Sequence, residues 1–228
     1  MKKVWILVLF LSVQYSWAQS YVFEKDKQDF YFLENPISIN NGDVWDTFQQ
    51  FEIKLPFEFP FMGKQFTQLS LECTGRIIFD KKHFYYIDGL VTQQLKDKGL
   101  SQSKSPISYQ ITDNKNGKAI IIEVKNAGRI GFPNQNINYQ LYLYNSGQIA
   151  VHMGPSTTEN IHFLTGLYFQ QSFSPFVYQY GLNVFGAPSH PQTTVYKNQE
   201  VIRPFNSIQQ TPKKGCIYRF SPMPSPKK

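Results

Sequence analysis

From Phe51 the chain alternates with a two-residue period: Phe51, Ile53, Leu55, Phe57, Phe59 and Phe61 are apolar, and the positions between them are Glu, Lys or Pro. Successive side chains of a strand point to opposite faces, so this pattern predicts a strand with one buried face. Met62-Gly63-Lys64 supplies a turn, Leu69, Leu71 and Cys73 resume the apolar phase, and Thr74-Gly75 returns the chain through Ile77, Ile78 and Phe79. Residues 51–80 therefore read as consecutive antiparallel strands. Pro56 and Pro60 lie on the polar phase, and proline has no N–H to give to a ladder. The first strand is expected at a sheet edge, or bent between two sheets.

The same period recurs downstream. Ile107, Tyr109 and Ile111 alternate before the turn chemistry of residues 113–117, and Ile120-Ile121-Ile122 follow without interruption. That predicts a hairpin whose second strand is covered on both faces and is therefore central. Ile137, Tyr139, Leu141 and Leu143, the turn Asn145-Ser146-Gly147-Gln148, and Ile149, Val151 and Met153 form a second hairpin. Further strands are expected near residues 30–33, 37–39, 163–169, 173–180, 195–196 and 216–220. Residues 126–138, with Gly128, Gly131 and Pro133, read as a loop, and residues 81–105 as a long loop with one short helix near 91–96. No stretch carries the 3.6-residue apolar stripe of a long amphipathic helix. The prediction is all-β: an antiparallel β-sandwich, jelly-roll-like, with long loops and little helix.

Residues 1–18 have the three parts of a secretory signal: Lys2-Lys3, an apolar run from Trp5 to Val13, and Ser16-Trp17-Ala18 before a cut. The run is too short to span a bilayer, and no other stretch approaches that length, so no integral membrane segment is expected after cleavage. The expected organisation is a signal peptide over 1–18, a single β-sandwich domain over 19–220 and a disordered proline-and-lysine tail over 221–228. Export to the periplasm, cell surface or medium follows. Without Lys2 and Lys3 the chain has 21 basic and 16 acidic residues, a balance of +5. The lysines are scattered, densest at Lys213-Lys214, and a nucleic-acid surface concentrates its charge on one face, so nucleic acid is not an expected partner. Cys73 and Cys216 sit in strand-like contexts. An even cysteine count in an exported chain allows a disulfide between them, and the alternative is a pair of buried free thiols. Trp45 is expected in the core.

The search for chemistry finds no Gly-x-Ser-x-Gly elbow and no phosphate-cradling glycine loop. His83, His152, His162 and His190 fall at no metal spacing, and Glu52, Glu58 and Glu72 lie on the polar phase of strands. No catalytic residue, metal or cofactor is expected. Binding tends to reside on loops held by a rigid scaffold, which makes His83, Phe84, Tyr85 and Tyr86 the local candidates for contacting a ligand. The competing reading folds these aromatics back onto the sandwich. The expected function is a non-catalytic exported protein that binds a protein or glycan at the cell envelope or surface. The alternatives are an envelope assembly component that pairs through its edge strand, and an enzyme with an unrecognised site.

Five features carry a family resemblance: the segment Leu55-Pro56-Phe57-Glu58-Phe59-Pro60-Phe61-Met62-Gly63-Lys64, the hairpin over 69–80, Ile107-Ser108-Tyr109-Gln110, the strands over 119–126 and 139–152, and the closing Gly215-Cys216-Ile217-Tyr218-Arg219-Phe220. Together they resemble the β-sandwich domain found near the N-terminus of proteins exported by Bacteroidota, many of them cargo of the type IX secretion system. The aromatic-Gly opening is also similar to that of nidogen-like extracellular domains. The resemblance implies a sandwich and an exported setting, and it carries no catalytic residue. Thr74 stands where that family places Asn.

Overall fold

A computed structural model describes residues 19–224 apart from 115–116, 159, 174 and 201–205. The expected signal segment, 1–18, and the last four tail residues lie outside the described residues. Among the described residues the chain forms strands and no helix: β1 (Tyr21–Lys27), β2 (Ile37–Ser38), β3 (Gln50–Phe61), β4 (Lys64–Glu72), β5 (Arg76–Asp80), β6 (Tyr85–Val91), β7 (Leu95–Lys96), β8 (Ile107–Asn114), β9 (Gly117–Arg129), β10 (Phe132–Tyr144), β11 (Ile149–Met153), β12 (Leu164–Phe173), β13 (Phe176–Phe185), β14 (Gln192–Glu200) and β15 (Cys216–Pro222). An eight-stranded sheet runs β1-β15-β11-β10-β9-β8-β2, with β7 paired to β9 beside that path. A seven-stranded sheet runs β14-β13-β12-β6-β5-β4-β3. The ladders are antiparallel, and the facing sides of the two sheets share one apolar core. The architecture is an all-β sandwich.

The alternating segment fulfils its expectation. β3 is an edge strand, and its register against β4 breaks between Lys54 and Phe59, where Pro56 would otherwise have to donate to the ladder. Ile53, Phe59 and Phe61 are buried on the inward phase while Glu52, Lys54 and Glu58 face solvent. Burying each phenylalanine contributes about 1.5–3 kcal/mol. Trp45 is buried, as expected, with Nε1 donating to the Ser105 carbonyl at 2.6 Å. Ile120, Ile121 and Ile122 are all buried in β9, flanked by β8 and β10.

Several expectations need correction. Residues 81–105 are not one long loop with a short helix: they contain β6 and β7. Residues 126–138 are not a loop either, since β9 and β10 continue through them to a turn at Ile130-Gly131, accommodated by register shifts. The closing strand runs past Phe220 to Ser221 and Pro222, which pair with Val22 and Tyr21 of β1, so the first residues assigned to a disordered tail are ordered by a neighbour. Residues 30–33 form no strand. They belong to a strap, residues 28–36, that crosses the outer face of the eight-stranded sheet. The Gln28 carbonyl accepts from His152 Nε2 at 3.1 Å, the Tyr31 carbonyl from Gln140 Nε2 at 2.8 Å, and Glu123 Oε2 from the Leu33 N–H at 2.9 Å. Phe30 is buried beneath the strap, edge-on to His152 at 5.1 Å.

Candidate functional site

The sequence candidates His83, Phe84, Tyr85 and Tyr86 divide at the start of β6. His83 lies in the exposed β5–β6 turn, where Asp80 gathers it: Oδ2 meets His83 Nδ1 at 2.7 Å, and Oδ1 accepts the backbone N–H groups of Lys82 and His83 at 2.9 and 3.0 Å. Burial is the largest single influence and raises the Asp80 carboxyl, but the His83 side chain, the two N–H groups and the His83 charge together outweigh it and hold the carboxyl below its ordinary range. Phe84 is half-buried. Tyr85 and Tyr86 are buried in opposite directions, because adjacent strand residues face opposite sides of a sheet. Tyr85 points into the core, stacked 4.1 Å from Phe169, with Lys64 Nζ 4.6 Å from its ring centroid. The tyrosines are thus not a loop surface, and the four residues do not form one site.

Tyr86 belongs to a network on the outer side of the seven-stranded sheet. Its ring lies 5.0 Å from Tyr168 and 4.7 Å from the Arg76 guanidinium, and its hydroxyl donates to Gln170 Oε1 at 3.3 Å. Arg76 grips Asp88 through Nε at 2.6 Å and Nη2 at 3.1 Å. Asp88 is fully buried, whereas the Arg76 side chain keeps 28% of its exposure. Burial works against the charge on Arg76, but Asp88 outweighs it and raises the guanidinium further. Tyr168 donates to Asn183 Oδ1 at 2.8 Å, and Asn183 Nδ2 to the Asn206 carbonyl at 3.0 Å. Burial raises the Tyr86 and Tyr168 hydroxyls far above their ordinary range, so both stay protonated. This is a satisfied structural network whose hydrogen-bonding groups are turned on one another, not on a ligand.

β6 runs from the turn that holds His83 to the opposite end of the sandwich, where three loop segments meet. The Asp97 N–H donates to the Trp45 carbonyl at 3.2 Å, Thr47 Oγ1 to the Leu95 carbonyl at 2.6 Å, and the Ile130 N–H to the Gln94 carbonyl at 2.8 Å. Buried Asp97 organises residues 97–105 by accepting from the N–H groups of Gly99 at 2.6 Å and Lys104 at 3.0 Å and from Ser103 Oγ. On these tied segments four large apolar side chains face solvent: Phe48 at 88% exposure, Leu100 at 100%, Ile130 at 49% and Phe132 at 46%. Arg129 lies over the Phe132 ring at 4.1 Å. Sequence reasoning missed this group. The available signal was a large apolar residue inside turn chemistry, as in Gly99-Leu100-Ser101 and Ile130-Gly131-Phe132-Pro133.

Cys73 and Cys216 are both free and buried, so the disulfide considered from sequence is not formed. Burial, followed by the negative charges of Asp46, Asp97 and Glu72, pushes the Cys73 thiol up to about 12. Cys216 lies instead beside Lys25 and Tyr218, and burial raises it too. Among the described residues no group of three or more His, Cys, Asp or Glu is placed to hold a metal ion. His152 is under the strap and His162 is exposed against Ser207.

Fold and surface define an antiparallel sandwich that exposes large apolar side chains on its loops, with no helix among the described residues long and apolar enough to cross a membrane. The chain belongs to the NIDO-related family, whose model matches residues 20–222. No curated protein and no solved structure matches it.

Proposed function

We propose that this chain is a non-catalytic exported binding domain that docks a protein partner at the cell envelope or surface through its loop end. The observation that carries the reading is the exposure of Phe48, Leu100, Ile130 and Phe132 on segments hydrogen-bonded to one another. Single exposed apolar residues are ordinary, but four large ones on adjoining segments at one end of the sandwich favour an interaction surface, and aromatic anchors dominate such interfaces. Export rests on the leader-like character of residues 1–18 and on the resemblance to exported Bacteroidota sandwich domains. Assembly through a sheet edge has less support. β3 carries two prolines and a register break, β2 has two residues, and β1 and β14 expose Glu24, Lys25, Asp26, Lys27, Lys197 and Glu200. Edges built this way discourage strand addition. A glycan reading through Tyr85 and Tyr86 lacks open ring faces.

The test places a photo-crosslinking side chain at Phe48, at Phe132 and, as a control at the other end, at Lys82, with irradiation in intact cells before fractionation. The same adduct from Phe48 and Phe132, found in an envelope or surface fraction and absent from Lys82, is the expected result. Adducts indifferent to position, or protein retained in the cytoplasm, would overturn the proposal.

A further inference from the structure

The inward phase of β1 reads Tyr21, Phe23, Lys25, Lys27. Its first half is core: the Tyr21 N–H donates to Tyr180 Oη at 2.9 Å, and Phe23 packs 5.6 Å from Tyr218 and 5.4 Å from Phe220. Its second half places two ammonium groups where a closed two-sheet core would require apolar side chains. Charge is not left in a dry interior without a partner, and here the sheets part. Between β1, the β13–β14 connection and the segment before β15 lies a cleft of about 680 Å³.

Four lysines line it: Lys25, Lys27, Lys213 and Lys214. Asp26, the single carboxylate of the lining among the described residues, is engaged elsewhere, 3.6 Å from Arg219 Nη2 and accepting the Lys27 N–H at 2.7 Å. Among the described residues none of the four lysines makes an ion pair. Lys25 donates to the Ser189 carbonyl at 2.6 Å and so braces the opposite wall. Lys213 and Lys214 sit on a locked turn. The Cys216 N–H returns to the Lys213 carbonyl at 3.0 Å, and Gly215 donates to the Met153 carbonyl at 2.8 Å and accepts from the Gln28 N–H at 2.9 Å. Gly215 has φ +82°, and a Cβ there would lie 2.7 Å from the Gln28 carbonyl oxygen, so only glycine closes this turn.

Uncompensated like charges on a pre-formed cleft repel one another and favour a polyanion. Among the described residues no aromatic side chain lines the cleft, so they do not supply the stacking that recognises neutral sugars. Its lining holds no large apolar side chain among the described residues, so it offers no pocket for the anchor residues of a peptide. Ser189, Gln210 and Thr211 supply neutral hydrogen-bonding groups suited to hydroxyls. We infer that this cleft binds an anionic polysaccharide, sulfated or uronate, independently of the protein partner proposed for the loop end.

The test uses heparin-derived and polygalacturonate-derived oligosaccharides, with neutral dextran and poly-glutamate as comparisons, titrated across a NaCl series. The charged oligosaccharides are expected to bind with a log–log salt slope of about −3, as for three to four released counterions, and dextran not at all. The variant Lys27→Gln/Lys213→Gln/Lys214→Gln spares the Lys25 brace and is expected to bind about tenfold or more weakly. Removing equal charge elsewhere, with Lys54→Gln/Lys81→Gln/Lys82→Gln, is expected to change affinity less than about twofold. In the unaltered protein, bound oligosaccharide is expected to shield Lys213 and Lys214 from acetylation while Lys81 and Lys82 react as before, which answers the case of a misfolded variant. Absent binding, equal losses in both variants, or unshielded cleft lysines would overturn the inference. Tighter binding of poly-glutamate would replace the polysaccharide with an acidic peptide.

Discussion

The Arg76–Asp88 pair gives an asymmetric stability prediction. Asp88 has no exposed surface, and its side-chain hydrogen bonds run to Arg76 Nε at 2.6 Å and Nη2 at 3.1 Å. Arg76→Met leaves a carboxylate buried without its cation and removes the guanidinium 4.7 Å from the Tyr86 ring. Stranding one member of a buried pair costs about 3–5 kcal/mol, a large part of the 5–15 kcal/mol typical of a folded domain. Asp88→Asn is milder: the amide still accepts through its oxygen, and Arg76, 28% exposed, can turn its charge toward water, so the expected loss is about 1–3 kcal/mol. Replacing both, Arg76→Met/Asp88→Leu, is expected to cost less than Arg76→Met alone, because no unpaired charge remains. Equilibrium urea unfolding followed by the fluorescence of buried Trp45 reads all three variants. The reasoning fails if Arg76→Met costs no more than Asp88→Asn, or if the double variant is as damaged as the arginine variant.

Three further outcomes are expected. Without reductant, alkylation should add no label to the native described fold and two to the urea-unfolded chain, since Cys73 and Cys216 are free, buried thiols; an unlabelled unfolded chain would establish the disulfide instead. His152 is held below its usual pKa chiefly by burial, with the Gln28 carbonyl opposing and Arg219 adding to the depression. The unfolded chain then binds a proton that the native chain refuses, so stability should fall as pH drops below about 6.5, and His152→Gln should flatten that slope between about pH 7 and 5 in urea titrations. Gly75→Ala must hold φ +98° with a Cβ 2.9 Å from the Leu90 carbonyl oxygen and 3.0 Å from Tyr139 Oη; a loss of about 1–3 kcal/mol in thermal or urea unfolding is expected, and an unchanged midpoint would contradict the strain.

Where one face of a strand meets the core and the other meets water, the chain announces it. β3 shows the two-residue period because only one phase of it had to be apolar; in β10 and β11 the second phase is polar although the strap covers it, with Gln140 and His152 buried beneath. β6 was illegible for the opposite reason: Tyr-Tyr-Ile-Asp-Gly-Leu-Val is buried at every position, its polar Asp88 is admitted only because Arg76 answers it, and Asp88-Gly89 mimics a turn. β1 was missed because past Phe23 it reads Glu-Lys-Asp-Lys, a composition of loops, and its strand character comes from pairing with β15. The aromatic run Phe30-Tyr31-Phe32 invited the opposite error. It has strand composition, but its partners are side chains of the sheet it crosses, not a backbone ladder.

Candidate sites were harder to read for a reason rooted in strand geometry. Tyr85 and Tyr86 are adjacent in sequence, and in a strand adjacency sends side chains to opposite faces; proximity along the chain was therefore evidence against a shared site once β6 was a strand. The cleft shows the converse. Lys25 and Lys27 are far in sequence from Lys213 and Lys214, and a count of basic residues along the chain makes them look scattered. The register of β1 against β15, with Lys27 opposite Cys216 and Lys25 opposite Tyr218, brings them to one seam. The local sign was present in β1 itself: an inward phase that begins Tyr21, Phe23 and continues Lys25, Lys27 cannot belong to a core along its whole length. A two-residue period that changes from apolar to cationic without changing phase marks the place where two sheets separate and water, or an anion, enters.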